Sequence, residues 1–307
     1  MLQELLPTNI YQAVLKKCSF EEITEIRLRV KKPICVVCNT KTYFLSDDGI
    51  CNSINQAIMC SKEMIEKIIF RATDFSLYAA NEQLKKGYIM VGGGVRLGVC
   101  GEIVFDGEIK TIRNFSSICI RIPHAIKNVA LKMFKHICES GEVNNTLIVS
   151  APGAGKTTML RDILYQFSNH NYPYTIFVAD ERGEISGGAD SGIDLGLFCD
   201  VVCFLNKKDA IMHGIRSNSP NIIATDELGG LEDFNAIEYA INCGVNIIAT
   251  IHAKDIEELK YKPEFKNFVN NKYFNRYIVL NKDGGVGNIE GVYNKDFQRI
   301  YGAIIWE

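Results

Sequence analysis

Residues 146–158 read TLIVSAPGAGKTT, and this stretch decides the fold of the second part of the chain. The apolar run that ends before Ser150 predicts a strand. After the glycines, Leu160, Ile163 and Phe167 lie at helical spacing, so a helix with one apolar face is expected there. A loop without bulky side chains, between a strand and a helix N-terminus, points successive backbone N–H groups at phosphate oxygens. The stretch therefore predicts a loop that binds the phosphates of a nucleoside triphosphate.

The residues of this loop have separate expected roles. Lys156 is the long cation that reaches the outer phosphates, and the hydroxyl of Thr157 is placed to ligate Mg²⁺. The usual pattern begins with glycine, whereas this chain has Ser150, a small residue that makes the turn off the strand. A plain glycine-rich helix cap is the structural alternative, and it leaves Lys156 unexplained. The residues expected to contact the nucleotide are Pro152, Gly153, Ala154, Gly155, Lys156, Thr157 and Thr158.

Two predicted strands end in a pair of carboxylates. One apolar run is followed by Asp180 and Glu181, and a later one is followed by Asp226 and Glu227. In open α/β sheets, ligands bind beyond the carboxyl ends of the strands. Each pair is therefore placed to supply a Mg²⁺ ligand and a base that orients the attacking water.

The order of strands along the chain favours the later pair. In P-loop ATPases with an extra strand between the loop strand and the metal strand, the metal carboxylate comes from the later strand, and a polar sensor ends the next one. That next strand, residues 246–251, ends at His252. We therefore interpret Asp226 as holding the water shell of Mg²⁺, Glu227 as the general base and His252 as the sensor. The earlier pair, carboxylates that only stabilise helix N-termini and a structural histidine are the alternatives.

The pattern of elements changes after Pro123. Before it, alternating strands, a helix from Ser61 and a hairpin turn at Asp106-Gly107 predict a smaller α+β domain. After it, strands alternate with helices, which predicts an α/β domain with a parallel-rich sheet. We place the two domains at residues 1–124 and 125–307. The second domain is expected to begin with a helix over 125–140 and to contain strands at 146–149, 175–179, 201–205, 222–225 and 246–251, with further β segments at 276–280, 291–293 and 299–305.

Composition and charge exclude several classes of protein. The 307 residues include 34 Lys plus Arg and 36 Asp plus Glu, and a net charge of −2 gives no chain-wide attraction to nucleic acid or anionic membranes. A hydrophobic content of 47% excludes disorder as the main state. No apolar run approaches the roughly 18 residues that cross a bilayer, and the first residues lack the apolar core of a signal peptide.

The chain has eleven cysteines. An odd number of scattered cysteines is typical of reduced thiols in the cytosol. Only Cys35 and Cys38 have a chelating spacing. Because residues three apart on a strand point to opposite faces, we expect both to be core residues and not metal ligands.

Taken together, the motifs resemble one family. The segments SAPGAGKTTMLRDI, VADERGEISGG, NIIATDELGG and ATIHAKDIEEL, in this order, are similar to the secretion-ATPase superfamily of type II and type IV systems, and in particular to its sporulation members in endospore-forming bacteria. The N-terminal segments GYIMVGGGVRLGVCGE and KTIRNFSSICIRI share this resemblance. It implies a hexameric ring of subunits, each with an N-terminal α+β domain and a C-terminal RecA-like domain, with ATP between the domains.

The resemblance also implies roles for individual residues. Glu181 and Glu184 match the acidic box of the family, and Glu181 is thereby a further candidate metal ligand. Asp226 and Glu227 match the Walker B motif, and His252 matches the histidine box. The residues that match the N-terminal arginines reaching the outer phosphates are Arg96 and Arg113, with Arg121 as a further candidate; on charge alone each arginine is a solvated surface cation. Ser150 and Thr225 depart from the family pattern without removing a catalytic group.

The resulting expectation is a Mg²⁺-dependent ATP hydrolase that acts as a motor. The resemblance implies that it powers a membrane-spanning channel complex between mother cell and forespore, from the cytoplasmic mother-cell side. Contact with the membrane would then go through integral-membrane partners. A nucleic-acid translocase is the rival, but the chain lacks a basic stripe interleaved with aromatic residues. A nucleotide-binding scaffold without turnover is disfavoured by Glu227.

Overall fold

The structure is a computed structural model that describes residues 2–39, 41–124, 126–170, 172–188, 193–283 and 285–302. The chain forms two compact units, the first ending at His124 and the second following it. A seven-stranded sheet lies in the first unit and an eight-stranded sheet in the second. Ala125, the expected first residue of the second domain, and residues 303–307 at its expected end lie outside the described residues.

The first unit combines short helices with an antiparallel sheet. Its strands are ordered β4-β3-β2-β1-β7-β6-β5, and every neighbouring pair is antiparallel. The α+β prediction and the hairpin turn at Asp106-Gly107 are confirmed. The helices are α1 (Leu2–Leu5), α2 (Thr8–Leu15), α3 (Lys62–Ala72) and α4 (Asn81–Lys85), and the strands are β1 (Ile23–Arg29), β2 (Cys35–Cys38), β3 (Lys41–Ser46), β4 (Gly49–Cys51), β5 (Tyr88–Val91), β6 (Val95–Asp106) and β7 (Glu108–Arg121).

Helix α3 covers one face of this sheet. It begins at a cap, because the hydroxyl of Ser61 accepts a hydrogen bond from the Met64 N–H. Ile65, Ile68 and Ile69 recur at helical spacing and are buried in one cluster with apolar residues of the sheet. The apolar side chains of β1, β6 and β7 alternate with polar ones, so the opposite face of the sheet is largely polar.

Cys18 and Cys38 form a disulfide in the first unit. Cys18 follows α2 and Cys38 ends β2, so the fold brings together two residues whose sequence separation is 20. The expectation that every cysteine is a reduced thiol is wrong for this pair. The expected alternation along β2 is confirmed: Cys35 is half-buried, Cys38 is buried, and the two lie on opposite faces of the strand.

The second unit is an α/β domain. The predicted helix over 125–140 is shorter than expected: it begins only at Leu131 and ends at Ile137, where a small two-stranded ribbon of Cys138–Glu139 and Glu142–Val143 follows. Its helices are α5 (Leu131–Ile137), α6 (Lys156–Asn169), α7 (Lys207–Asn218), α8 (Leu231–Asn242), α9 (Ile256–Tyr261) and α10 (Lys266–Asn271), and its strands are β8 (Cys138–Glu139), β9 (Glu142–Val143), β10 (Thr146–Ser150), β11 (Ile176–Asp180), β12 (Cys199–Cys203), β13 (Ile222–Leu228), β14 (Asn246–His252), β15 (Arg276–Asn281), β16 (Asn288–Asn294) and β17 (Arg299–Tyr301).

The main sheet of the second unit has the order β12-β11-β13-β14-β10-β15-β16-β17. The strands from β12 to β15 run parallel, and β16 and β17 extend the sheet antiparallel. Along β10, Leu147 and Val149 lie in one apolar cluster and Ile148 in another, so the sheet is buried on both faces. The parallel-rich α/β prediction is confirmed. No helix among the described residues is long and apolar enough to cross a bilayer.

Candidate nucleotide-binding site

The glycine loop joins β10 to α6 in the conformation that glycine permits. Gly153 has φ +80° and Gly155 has φ +96°, both in the left-handed region. A Cβ on Gly155 would lie 2.5 Å from the backbone nitrogen of Gly287, so no side chain fits there. Helix α6 begins at Lys156, directly after Gly155, and its N-terminal N–H groups carry partial positive charge. The loop can therefore take an anion at a helix N-terminus.

A cavity of about 410 Å³ lies against this loop. Six of the seven loop residues expected to contact the nucleotide line it, whereas the side chain of Ala154 is buried in the core. Thr157, the expected Mg²⁺ ligand on the loop, is among the lining residues. The cavity is lined by Pro152, Gly153, Gly155, Lys156, Thr157, Thr158, Glu184, Glu227, His252 and Val286. Val286 reaches the cavity from the turn between β15 and β16, and no sequence pattern indicated it.

Lys156 is buried and points back toward the sheet. Its Nζ atom donates to the carbonyl of Ser150 at 3.2 Å and to Nδ1 of His252 at 2.8 Å. Burial lowers the pKa of Lys156 to about 8, against a smaller opposite effect from the charge of Glu227. The hydroxyl of Ser150 lies 3.5 Å from Nζ of Lys156. The serine that replaces the usual glycine therefore contacts the lysine with its side chain.

Glu227 lies at the centre of a chain of polar contacts. Its Oε1 is 2.5 Å from Nε2 of His252, and its Oε2 accepts from Nη1 of Arg182 at 2.9 Å. An ammonium can only donate, so Nδ1 of His252 accepts from Lys156 and Nε2–H donates to Glu227. The N–H of Glu227 donates a hydrogen bond to the hydroxyl of Thr250. The backbone φ of Glu227 is +31°, a strained value for a residue with a side chain.

The electrostatics of Glu227 keep it ionised. Burial raises its pKa, but the hydrogen bond from His252 and the charges of Arg182 and Lys156 outweigh burial and lower the pKa below its usual range. Glu227 is therefore a carboxylate that reaches the cavity and is linked to the loop lysine through one imidazole. No role for Arg182 was predicted from the sequence, although it lies inside the acidic motif. Its contact with Glu227 on β13 arises only when the chain folds.

Asp226 has different surroundings from its neighbour Glu227. Both of its carboxylate oxygens are buried without a hydrogen-bond partner among the described residues. The nearest cation is Lys207, whose buried Nζ lies 3.8 Å from Asp226 and 3.1 Å from Glu181. Burial raises the pKa of Asp226 to about 7, and the charge of Lys207 acts in the opposite direction.

The two acidic residues expected to hold Mg²⁺ thus lie beside Lys207. Neither Asp226 nor Glu181 is among the residues that line the cavity, whereas Glu184 and Glu227 are. The roles of Asp226 and Glu181 stay predictions. Lys207 had no signal in the sequence, because it lies at the start of α7, far along the chain from both carboxylates.

The competing strand end at Asp180 is occupied by hydrogen bonds. Its carboxylate accepts from the N–H of Ile185 at 3.1 Å, and from the N–H and hydroxyl of Ser186 at 2.8 and 2.7 Å. Arg161 further anchors the same turn by donating to the carbonyls of Glu184 and Ile185. Asp180 therefore orders the turn that carries Glu184, and the choice between the two strand ends for the base stays a prediction.

The three candidate arginines lie in the first unit, in two different settings. Arg96 and Arg121 are paired across β6 and β7, and the guanidinium of Arg96 lies 4.2 Å from the centre of the Tyr88 ring. Arg113 lies further along the hairpin, where its Nε is 3.5 Å from Glu102 of the opposite strand. Arg113 also lines a groove against α3. Which arginine acts on a nucleotide stays a prediction.

Comparison with known proteins identifies the family. The model of the family "Sporulation stage III, protein AA" matches residues 2–300. Stage III sporulation protein AA of Bacillus subtilis (strain 168) is 31% identical over 304 residues, which cover 96% of this chain and 95% of the relative. The chain belongs to the sporulation stage III protein AA family. The resemblance inferred from the sequence motifs is therefore confirmed.

Comparison with solved structures shows which known folds this chain shares. The chain is similar to the pilus retraction motor PilT with bound ADP, with a TM-score of 0.63 and 14% identity, covering 92% of this chain and 81% of PilT. It is also similar to the ATPase DotB of Legionella pneumophila, with a TM-score of 0.54 and 13% identity, covering 84% of this chain and 72% of DotB. At these identities the similarity shows the fold alone, and it confirms the expected fold class for this member of the sporulation stage III protein AA family.

Proposed function

We propose that this chain is a Mg²⁺-dependent ATP hydrolase that works at the cavity between the glycine loop and β14. One observation carries the proposal: the Nζ of Lys156, the imidazole of His252 and the carboxylate of Glu227 form a continuous chain at a single cavity. A phosphate-binding lysine and a residue that orients the attacking water are among the groups with which proteins catalyse phosphoryl transfer. The glycine cradle and the α6 N-terminus supply the remaining phosphate contacts.

The residues of the chain divide the reaction between them. Lys156 exchanges its contacts with Ser150 and His252 for the outer phosphate oxygens when ATP enters. Glu227 then orients the attacking water and accepts its proton, while Nε2–H of His252 holds the carboxylate in place. The fixed dipoles of the loop stabilise the charge that develops on the phosphoryl group.

Mg²⁺ neutralises charge between the phosphates when it is bound. The hydroxyl of Thr157 and the carboxylate of Glu184 line the cavity and would hold it there. The contribution expected of Asp226 and Glu181 requires Lys207 to move, because its ammonium lies 3.1 Å from Glu181 and 3.8 Å from Asp226.

We further propose that six copies assemble into a ring that acts as a motor for a membrane channel during endospore formation. Membership of the sporulation family and the shared fold with a pilus retraction motor support this assignment. The protein would work in the mother-cell cytoplasm and reach the membrane through integral-membrane partners. A net charge of −2 gives no support to stable binding of nucleic acid.

Steady-state hydrolysis by Lys156→Ala tests the site. Losing one donor to the transferring phosphoryl group typically costs about 10²–10³ in rate, so turnover should fall by at least that factor. A variant with wild-type turnover would refute the loop assignment. Chelation of Mg²⁺ in the wild-type assay should abolish hydrolysis, and undiminished hydrolysis would refute the metal dependence.

The size of the protein in solution tests the motor proposal. We expect a hexamer whose population rises with protein concentration and with ATP. The rate of hydrolysis should not change when single- or double-stranded DNA is added. Strong stimulation by nucleic acid, without hexamer formation, would instead favour a translocase.

A further inference from the structure

Two cysteines and a glutamate meet at one end of the first unit's sheet. The sulfur atoms of Cys18 and Cys38 and a carboxylate oxygen of Glu22 lie within 4.8 Å of one another. The two cysteines are only 5% and 4% exposed, whereas Glu22 is partly exposed. Among the described residues, this is the one group of three or more potential metal ligands found so close together. The nucleotide site does not use it.

The carboxylate of Glu22 is held in position by two hydrogen bonds. The Ser19 N–H donates to Oε2 at 3.0 Å, and Nδ2 of Asn39 donates to Oε1 at 2.9 Å. Outer hydrogen bonds of this kind orient ligands in metal sites. Glu22 therefore offers an oxygen ligand that is fixed beside the two sulfurs.

We infer that Cys18, Cys38 and Glu22 form a zinc site when their disulfide is reduced. Two thiolates and one carboxylate belong to the ligand set that Zn²⁺ prefers, and a water completes four-coordination. Without a cation, reduction would leave two buried thiols beside a carboxylate. A dication compensates the negative charge that thiolate formation would otherwise add to this buried corner.

The exchange between the two states is balanced. A dithiol reductant gives two electrons to the Cys18–Cys38 bond, which breaks, and the dithiol becomes a disulfide. The two cysteine sulfurs bind Zn²⁺ as thiolates, and the two protons of the dithiol go to solvent. Reducing conditions, such as an excess of dithiol, would favour the zinc-bound state, and oxidising conditions would favour the disulfide that the structure contains.

Zinc titration of the full chain tests the inference without reference to ATP. The protein is reduced with a phosphine, and zinc binding is measured against a chromophoric chelator. Reduced wild type should bind one zinc ion more than Cys18→Ser or Cys38→Ser, and oxidised wild type should lack this ion. Cys35→Ser is the matched control, because Cys35 lies on the same strand with its side chain on the opposite face; it should bind as wild type does.

Glu22→Gln keeps both thiols and the size of the side chain, but it removes the charge and one of the two acceptor oxygens that Ser19 and Asn39 contact. We expect it to weaken zinc binding by about tenfold or more, as loss of a ligand or its support does. Cobalt(II), used in place of zinc, should give a thiolate-to-metal absorption band that both serine variants lose. Equal zinc binding by reduced wild type and the serine variants would overturn the inference. A cobalt(II) absorption band that is as strong in the serine variants as in wild type would also overturn it. Because hydrolysis of ATP is not read out, this failure is distinct from failure of the proposed function.

Discussion

The Nζ atom of Lys156 lies 2.8 Å from Nδ1 of His252, although the two residues are on different elements of the second unit. Ser150, at the end of β10, and His252, at the end of β14, are register partners on adjacent parallel strands. The turn off β10 brings Lys156 back over this pair. The strand order thus fixes the distance between the lysine and the histidine before any nucleotide enters, and it links the lysine to Glu227.

The affinity for ATP should fall as the pH rises through about 8. Burial lowers the pKa of Lys156 to about 8, so below that pH the ammonium is charged and binds phosphate, and above it the lysine becomes neutral. An ordinary lysine stays charged up to about pH 10. The affinity, measured without divalent ions between about pH 7 and about pH 9, should show this decline. Lys156→Arg keeps its charge and should lack it; a flat wild-type profile would contradict the prediction.

Glu227→Gln should bind ATP and hydrolyse it at least about 10² times more slowly, because the amide retains the shape of the side chain and cannot accept the proton. Nucleotide affinity and single-turnover hydrolysis, measured on the same preparation, separate the two effects. Wild-type turnover by this variant would rule out Glu227 as the base.

Asp180→Asn is the control for the competing strand end. Its buried carboxylate accepts three hydrogen bonds from Ile185 and Ser186, and an amide cannot accept them all. We expect a loss of about 1–3 kcal/mol in the free energy of unfolding, with turnover retained by the folded fraction. Loss of turnover at unchanged stability would instead assign the chemistry to this strand end.

Much of this site could be predicted from the sequence because its parts are local. The strand, loop and α6 follow from the spacing of apolar residues and glycines over residues 146–167, and the parallel sheet follows from the alternation of elements. The orientation of the acidic pair could not be predicted. A register shift in β13 and the positive φ of Glu227 turn its side chain to the cavity and leave Asp226 buried.

The remaining features depend on contacts between distant parts of the chain. Arg182 reaches Glu227, and Lys207 reaches Asp226, only because β11, β12 and β13 are neighbours in the sheet. The Cys18–Cys38 disulfide likewise joins the segment after α2 to the end of β2. Spacing in the sequence contains no information on these pairs.

Lys207→Met should destabilise the second unit by about 1–3 kcal/mol, because Asp226 and Glu181 lose their shared cation and the buried Asp226 carboxyl, whose pKa is already about 7, must become neutral. Denaturant unfolding measures the effect. Lys208→Met is the matched control, since Lys208 is the exposed neighbour on the same helix and should be near neutral. Adding Asp226→Asn to Lys207→Met should restore part of the loss, and a double variant no more stable than the single would contradict the proposed pairing.

Arg113→Ala should retain ATP affinity within about tenfold and lose most of its turnover. The glycine loop and Lys156 supply the ground-state contacts, whereas a planar, permanently charged guanidinium neutralises the transferring phosphoryl group. The Arg113–Glu102 ion pair is exposed, with side chains 69% and 61% accessible. Such pairs contribute little to stability, so a loss of turnover cannot be explained by unfolding. Glu102→Ala is the matched control because it removes the partner and keeps the cation. The prediction fails if Arg113→Ala hydrolyses ATP at the wild-type rate and Arg96→Ala does not. In that case Arg96 is the arginine that acts on the phosphate, and Arg113 only lines the groove against α3.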